Sequence, residues 1–515
     1  MALSKVEQLK AERNPLRIID DIYEEARGGK KIDEEHIGLL KWYGMYPHVK
    51  DDEKHFFMKR IKFNDNGLNL EQLKVMADIT NKFCKGYSDF TTRQNIQLHY
   101  VQIKDLPEMF DLLESVNLTS YMASGDGPRP MVGCPISGIA EDDLYDVTPI
   151  FWEIDNYFKE HEDEYCNFPR KYKIGLSGCT KHCMGHEIQD VGFTAFKSED
   201  GEVLFDLTIG GGLSKTRRVA SRAKRYLRAD QIKEVAIKCA DIFRDMGNRE
   251  NRNKARIRDM VANMGIEAYV EELEKRLGYS LDHGEKEPEI TPYQKREHFG
   301  IHKASTKGES YIGVATRRGR VWGEDLEKIY QLLKKYDAKG IRLTTTQNFV
   351  VYGVKDEVAQ SLADELTNIG FPYKPTIFEA KIQSCTGIEF CKFAVTETKD
   401  FADVMVDSLN TKFPELDENL SIAVSGCPNG CSHPHIADIG LIGTKVKDDE
   451  GNRVEGYQFW FGGHLEGEHK SRFSEKTKIK VPSNKVDEKI EEIINDYLSK
   501  KADFNNFSSY IQAQV

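Results

Sequence analysis

The chain aligns with itself. FTTRQNIQLHYVQIKDLPEMFDLLESVNL (90–118) matches RLTTTQNFVVYGVKDEVAQSLADELTNIGF (342–371), placing Gln94 and Asn95 on Gln347 and Asn348. LSGCTKHCMGHEIQDVGFTAF (176–196) matches VSGCPNGCSHPHIADIGLIGT (424–444), with Cys179 on Cys427, Cys183 on Cys431 and Asp190 on Asp438. TIGGGL (208–213) falls on WFGGHL (460–465). Matches in a constant order and at nearly constant spacing mean an internal duplication, and two large copies mean two related lobes rather than a solenoid.

Within each copy the pattern alternates between strand and helix. Ile96, Leu98 and Tyr100 alternate with Gln97 and His99, which predicts a half-buried strand over 96–103. Apolar residues at helical spacing predict helices over 70–84, 324–336 and 355–369. The expected fold is α+β, a pseudo-twofold pair of duplicated lobes. The first fifty residues and 501–515 match nothing internally and are expected to form a wrapping arm and a tail. The polar, Pro-bearing stretch 281–304 is the expected linker. It separates segments 51–120 and 121–280 from segments 305–375 and 376–500.

A net charge of −11 argues against general nucleic-acid binding. No apolar run reaches membrane-spanning length, and MALSKVEQLKAERNP has no apolar signal core, so a cytoplasmic location is expected. Ten cysteines in such a chain point to metal or redox chemistry or to reduced core thiols, not to disulfides.

Four of them stand in two pairs, Cys385 and Cys391 in CTGIEFC and Cys427 and Cys431 in SGCPNGC. Two loops that each supply two thiolates suit a compact metal centre, and four thiolates can hold a [4Fe–4S] cube. Gly387, Gly426 and Gly430 flank the ligands where tight turns let N–H groups approach sulfur, and Pro428 stiffens the second loop. Spacing alone leaves a structural zinc site and unligated core thiols open, although intervals of five and three residues are wider than a zinc knuckle. The first copy keeps Cys179 and Cys183 but offers only Cys134 where the second offers a pair, and three thiols do not make an all-cysteine cluster site. It reads as a degenerate copy that gave up metal, with His182, His186 and Cys183 as a weaker zinc alternative.

C-x5-C followed by C-x3-C resembles the signature of the sirohaem-containing sulfite and nitrite reductases. CTGIEFCKFAVTETK, SGCPNGCSHPHIADIGL, FTTRQNIQLHY, GPRPMVGCPISGI and NFPRKYK are similar to that family's blocks over about residues 40 to 500. The resemblance implies ferredoxin-like half-domains at 51–120 and 305–375 and two sirohaem-reductase domains at 121–280 and 376–500. It implies a [4Fe–4S] cluster on Cys385, Cys391, Cys427 and Cys431, with Cys431 shared with the iron of sirohaem. It places Arg60, Arg129, Lys171 and Lys173 around the open face of that iron as catalytic residues, and Arg93 on a macrocycle carboxylate. Lys62, Gln94, Asn95, Arg217 and Arg218 are carried over as further cofactor-binding positions.

The implied activity is the six-electron reduction of sulfite to sulfide, with nitrite to ammonia or a dual activity as the alternative. PRKYK carries a second lysine where plant-type nitrite reductases resemble PRKWN, and a second cation suits a more highly charged anion, which favours sulfite. Some members carry a covalent Tyr–Cys crosslink beside the haem, but SGDGPRP has no cysteine, so none is expected. No flavin or nicotinamide motif is apparent, so ferredoxin is the implied donor, to a protein expected as a monomer. LSKTRRVASRAKRYLR (213–228) is the strongest basic stretch, expected as a solvated helix face, a ferredoxin dock or partly a carboxylate clamp. An iron–sulfur hydro-lyase and a cluster-only electron carrier are the rival classes. A hydro-lyase uses three cysteines and an open iron, and a carrier needs no ring of cations.

Overall fold

The computed structural model describes residues 3–48, 56–63, 66–179 and 181–515. Two antiparallel five-stranded sheets form the first related pair. One runs in the order Met45–Pro47, Phe57–Ile61, Ile96–Val101, Tyr87–Phe90, Arg320–Trp322. The other runs Gly300–Lys303, Glu309–Val314, Phe349–Lys355, Gly340–Leu343, Gly67–Asn69. Each sheet thus takes its last strand from the other copy. The exchange follows from a short strand running straight into a helix: Gly67–Asn69 into Leu70–Phe83, and Arg320–Trp322 into Gly323–Lys335. Asn69 caps its helix reciprocally with Gln72, a capping box. At Gly67 a Cβ would come 2.4 Å from the Ile341 carbonyl, so only glycine lets the exchanged strand seat. The two half-domains share one apolar core.

The second pair of sheets carries the chemistry. Val132–Gly133, Ile174–Ser177 and Val191–Lys197 run parallel, and Val203–Ile209, Ser221–Leu227 and Asp282–His283 extend them antiparallel. Ile382–Ser384, Ile422–Ser425 and Ile439–Lys447 repeat the parallel part, and Arg453–Phe461 and Glu475–Pro482 the antiparallel part. Parallel strands buried on both faces need no alternation, which is why IGLSG (174–178) and IAVSG (422–426) mark them in the sequence. Each of these sheets has its own core.

Several expectations change. The strand at 96 ends at Val101, and its alternation breaks at Tyr100, whose φ is +59°. The register shift against Phe57–Ile61 turns His99 inward, not Tyr100, where it meets the buried Asp89 at 2.9 Å. The helix expected from 355 begins at Ala359, after a turn of 3₁₀ helix at Asp356–Val358. The expected linker is packed against both copies. Tyr293, Gln294, Arg296 and His298 are buried between the copies, with Arg296 donating to the His182 carbonyl at 2.9 Å. Within the last fifteen residues, Phe507, Tyr510 and Ile511 of helix Phe507–Gln512 pack into the core of the second copy.

Strand Phe57–Ile61 alternates cleanly, so Lys59 points into the core and Arg60 away from it. Lys59 is fully buried, donates to Ser120 Oγ at 2.7 Å and lies 4.4 Å from the Phe110 ring centre. Burial brings its pKa down to about 7. The unfolded chain therefore binds this proton between pH 7 and the ordinary lysine range while the native state does not, and stability rises with pH across that window. Replacing Lys59→Met should remove this rise. Measured by thermal denaturation, the stability of the natural protein relative to the variant should grow by on the order of 3 kcal/mol from pH 7 to pH 10; a constant difference would overturn the assignment.

Candidate functional site

Both cysteine pairs stand just beyond the C-terminal ends of adjacent parallel strands, Cys385 after Ile382–Ser384 and Cys427 after Ile422–Ser425. The Gly426 N–H donates to Cys385 Sγ at 3.2 Å, and Thr398 Oγ1 lies 3.9 Å from the same sulfur. Gly387 and Gly430 both adopt positive φ, +73° and +66°. A Cβ on Gly387 would lie 2.5 Å from Thr398 Oγ1, so the glycine is required by both conformation and space. Burial and then the neighbouring thiols of Cys385, Cys427 and Cys391 push Cys431 up to about 12, with Lys171 opposing them. Four converging thiolates of this kind need positive charge among them, which is what an iron–sulfur cube supplies. The donor set and its glycine cradle fit that group.

Cys431 is the exposed member of the ten cysteines, and its sulfur feels Lys171 of the other copy across a cleft. The opposite wall belongs to the first copy. Arg60 and Arg129 both donate to the Ala123 carbonyl, at 3.3 and 3.5 Å, and Arg60 also reaches Ser124 Oγ at 3.2 Å. Arg93 donates to Gln189 Oε1 at 3.0 Å and to the Pro130 carbonyl at 2.5 Å, and its Nε is buried without a hydrogen-bond partner among the described residues. Burial, then Arg129, bring Arg93 down to about 9. Lys171 is held well below the usual lysine range by burial, then Arg256, Arg129 and Arg170, and Lys173 by burial, then Arg93, Lys171 and Arg256. An orphaned guanidinium nitrogen and a crowd of mutually repelling cations fit a polyanionic macrocycle and an oxyanion.

The cleft therefore brings together Arg60, Arg93, Arg129, Lys171 and Lys173 from one copy and Cys431 from the other. Thr92 Oγ1 donates to the Cys431 carbonyl at 3.1 Å, so the loop that carries Arg93 is fastened to the cysteine loop. Arg217 also crosses to the second copy, with its Nη1 3.3 Å from His435 Nε2 and its guanidinium 5.0 Å from the Trp460 ring centre. Arg218 holds its loop through paired backbone bonds to Gly212 at 2.9 and 3.0 Å.

Three of the expected cofactor positions bond to the protein itself. The Lys62 ammonium is buried against the Asp155 carboxylate. Gln94 spends its amide on the Gly133 and Leu343 backbones, at 2.8, 3.0 and 2.7 Å. Asn95 is buried and donates to the Arg93 carbonyl. These bonds shape the loop that carries Arg93 and the strand beside it. The basic stretch is corrected. Residues 221–227 form a strand, not a helix, and its cations are paired: Arg222 with Asp206 at 2.7 Å, Lys224 with Glu285 at 2.9 Å and Arg225 with Glu274 at 2.7 Å. Those acids lie far along the chain, and nothing local in the sequence announces them.

Sequence reasoning missed four participants. Tyr46 lies beside Arg129, Arg60 and Ser124; burial alone would raise its pKa, but these neighbours bring the phenol below its ordinary value. His433, with φ +67°, is brought down to about 3 by burial, then Lys173 and Arg93. Asp190 and Arg256 form a buried bidentate pair at 2.8 Å, and Asp190 also accepts from the Lys173 N–H at 3.0 Å. The match of Asp190 to Asp438 was the available signal for one of them.

Two family descriptions match the chain. "Nitrite and sulphite reductase 4Fe-4S domain" covers residues 124–281 and 380–507, and "Nitrite/Sulfite reductase ferredoxin-like half domain" covers 48–116 and 302–369. A relative named sulfite reductase [ferredoxin] 1, from Mycolicibacterium paratuberculosis, is 31% identical over 99% of this chain and 94% of its own length. A ferredoxin–nitrite reductase from Synechococcus elongatus is also 31% identical, over 90% of this chain and 91% of its own. The solved structure of the Mycobacterium tuberculosis NirA protein superposes with a TM-score of 0.93 at 29% identity, covering 100% of this chain and 97% of that one.

Removing one member of the buried pair leaves an uncompensated charge. Asp190→Ala should destabilise the fold by about 3–5 kcal/mol, read as a lowered thermal midpoint, and pairing Asp190→Leu with Arg256→Met should recover much of the loss. An unchanged midpoint for Asp190→Ala would refute the pairing as a structural element.

Proposed function

The chain belongs to the nitrite and sulphite reductase family, and we propose that it reduces sulfite to sulfide with electrons from ferredoxin, using sirohaem coupled to a [4Fe–4S] cluster. The observation that carries the reading is the cleft in which Cys431, from one copy, meets Lys171 and its neighbouring cations from the other. Cys385, Cys391, Cys427 and Cys431 would hold the cluster, and Cys431 would be the thiolate shared with sirohaem. When bound, the two groups supply the single-electron steps that the protein's side chains cannot.

The chain's own residues position, charge and protonate. Arg93 and Arg217 hold carboxylates of the macrocycle. Arg60, Arg129, Lys171 and Lys173 hold the oxyanion, and Tyr46 stands beside the first two of these. Because burial and neighbouring cations depress Lys171 and Lys173, each ammonium is a stronger acid than a solvated lysine. Each is thus suited to donate a proton as an S–O or N–O bond breaks. Among the described residues no helix is long and apolar enough to cross a membrane, and a cytoplasmic monomer served by ferredoxin completes the proposal. Nitrite is the second reading, favoured by the equal identity to a named nitrite reductase.

Lys173 decides between them. A second ammonium contributes a charge-assisted bond of about 1.5–3 kcal/mol to a three-oxygen anion. Lys173→Asn should therefore lower the sulfite-to-nitrite ratio of kcat/KM by about tenfold or more, measured with a reduced viologen donor. An unchanged ratio would defeat the substrate assignment. Anaerobically purified protein without a Soret band would defeat the whole reading.

A further inference from the structure

The first copy also gathers its cysteines. Cys134, Cys179 and Cys183 are all buried, none is in a disulfide, and their sulfurs all lie within 4.8 Å of one another. The chain reaches this arrangement by the same route as the second copy: Cys134 follows Val132–Gly133, and Cys179 and Cys183 follow Ile174–Ser177. A fourth donor comes from the connector between the copies. His298 is 5% exposed, its Nε2 lies 3.0 Å from Cys183 Sγ, and its Nδ1 is buried without a hydrogen-bond partner among the described residues. The backbone there is clamped by Gly313, where a Cβ would come 1.8 Å from the His298 carbonyl oxygen. That close approach fixes the backbone that carries the imidazole, which touches Cys183 of the trio.

We propose that Cys134, Cys179, Cys183 and His298 bind one structural zinc ion in the first copy. The donor set is three thiolates and an imidazole, a recognised tetrahedral zinc set. Its spread separates it from a cluster. Thiolates 2.3 Å from a tetrahedral ion stand about 3.8 Å apart, which matches a trio closed to within 4.8 Å. No three of the four cysteines in the second copy come that close together, so the same strand ends carry a wide set there and a tight one here. Complete burial closes the site, the mark of a structural ion rather than a catalytic one.

His182 and His186 each have one ring nitrogen engaged away from the trio. His182 Nε2 lies 2.9 Å from the Ala195 carbonyl oxygen, and His186 faces Glu187 at 3.5 Å. The ion ties two strand ends to the connector, as the cluster ties two strand ends of the other copy. Each thiol that binds gives up its proton to solvent. The imidazole lies against Cys183 and completes the tetrahedron by closing on the other two sulfurs.

The test uses the holoprotein, purified anaerobically without added metal and dialysed against a chelator. Elemental analysis should find one zinc per chain in addition to the iron. Zinc-edge X-ray absorption should give mainly sulfur scattering near about 2.3 Å with one nitrogen near about 2.0 Å. Cys134→Ser and Cys183→Ser should lose the zinc while keeping the cluster iron and the Soret band. Substoichiometric zinc in the natural protein, iron in place of zinc at this site, oxygen-dominated scattering or full zinc in either variant would each overturn the proposal. The measurements on the natural protein decide even if a variant fails to fold, and none depends on which anion is reduced.

Discussion

A reciprocal pair of glutamines fixes the geometry on which the cleft depends. Gln94 and Gln347 both adopt left-handed backbone, φ +53° and +66°, at the tips of equivalent turns. Each amide oxygen accepts from the strand just before the first cysteine of its own copy: Gly133 N–H at 2.8 Å and Ser384 N–H at 3.1 Å. Each amide nitrogen donates across to the other copy, to Leu343 O at 2.7 Å and to Phe90 O at 2.9 Å. Only a side chain with both a donor and an acceptor can bridge two backbones in this way. Together with the exchanged strands, this clasp makes the copies one body and sets Thr92 and Arg93 against the Cys431 loop.

On that symmetric frame the two copies diverge in charge. Asp190 and Asp438 occupy equivalent positions. The first is bound by Arg256, the second by Ser421 and Ser508 hydroxyls at 2.7 and 2.6 Å, and burial raises the pKa of Asp438. Asp190 and Asp438 accept from the backbone of Lys173 and Ser421 respectively, so Lys173 and Ser421 are also equivalents. Cations were thus concentrated in the first copy and cluster thiolates in the second. A duplicated fold gives two equivalent walls, and a site between them can become asymmetric only by such substitutions.

The features legible in the sequence were those carried by short, contiguous segments. The duplication, the four cysteines and the strand-to-helix alternation all lie within single blocks. The features that were not legible are made by residues far apart in the chain. Arg222 looks like one cation in a basic run until Asp206 and the carbonyls of Gly284 and Lys286 close around it. The connector looks solvated because it is polar, yet Arg296 bonds to the first copy and Gln294 to the second. Gln94 and Asn95 drew attention as a repeated pair, and the repetition marks a shared structural task at the turns that carry them. Even the burial of His99 in place of Tyr100 needed one left-handed residue that no period reveals.

The cleft is a place where two unfavourable arrangements face each other. On one wall thiols raise one another's pKa; on the other, cations lower one another's. Each wall alone costs folding free energy, because burial and like-charge crowding both act against the charged forms. Lys171 opposing Cys431, and His433 held down by Lys173 and Arg93, are the points where the walls already feel each other. A ligand that is positive toward the thiolates and negative toward the arginines relieves both walls at once. A metal cluster joined to a carboxylate-bearing macrocycle has that polarity. The two halves of one duplication thus present opposite electrostatic demands to one site, and a cofactor pair that meets both stabilises the native state by binding it alone.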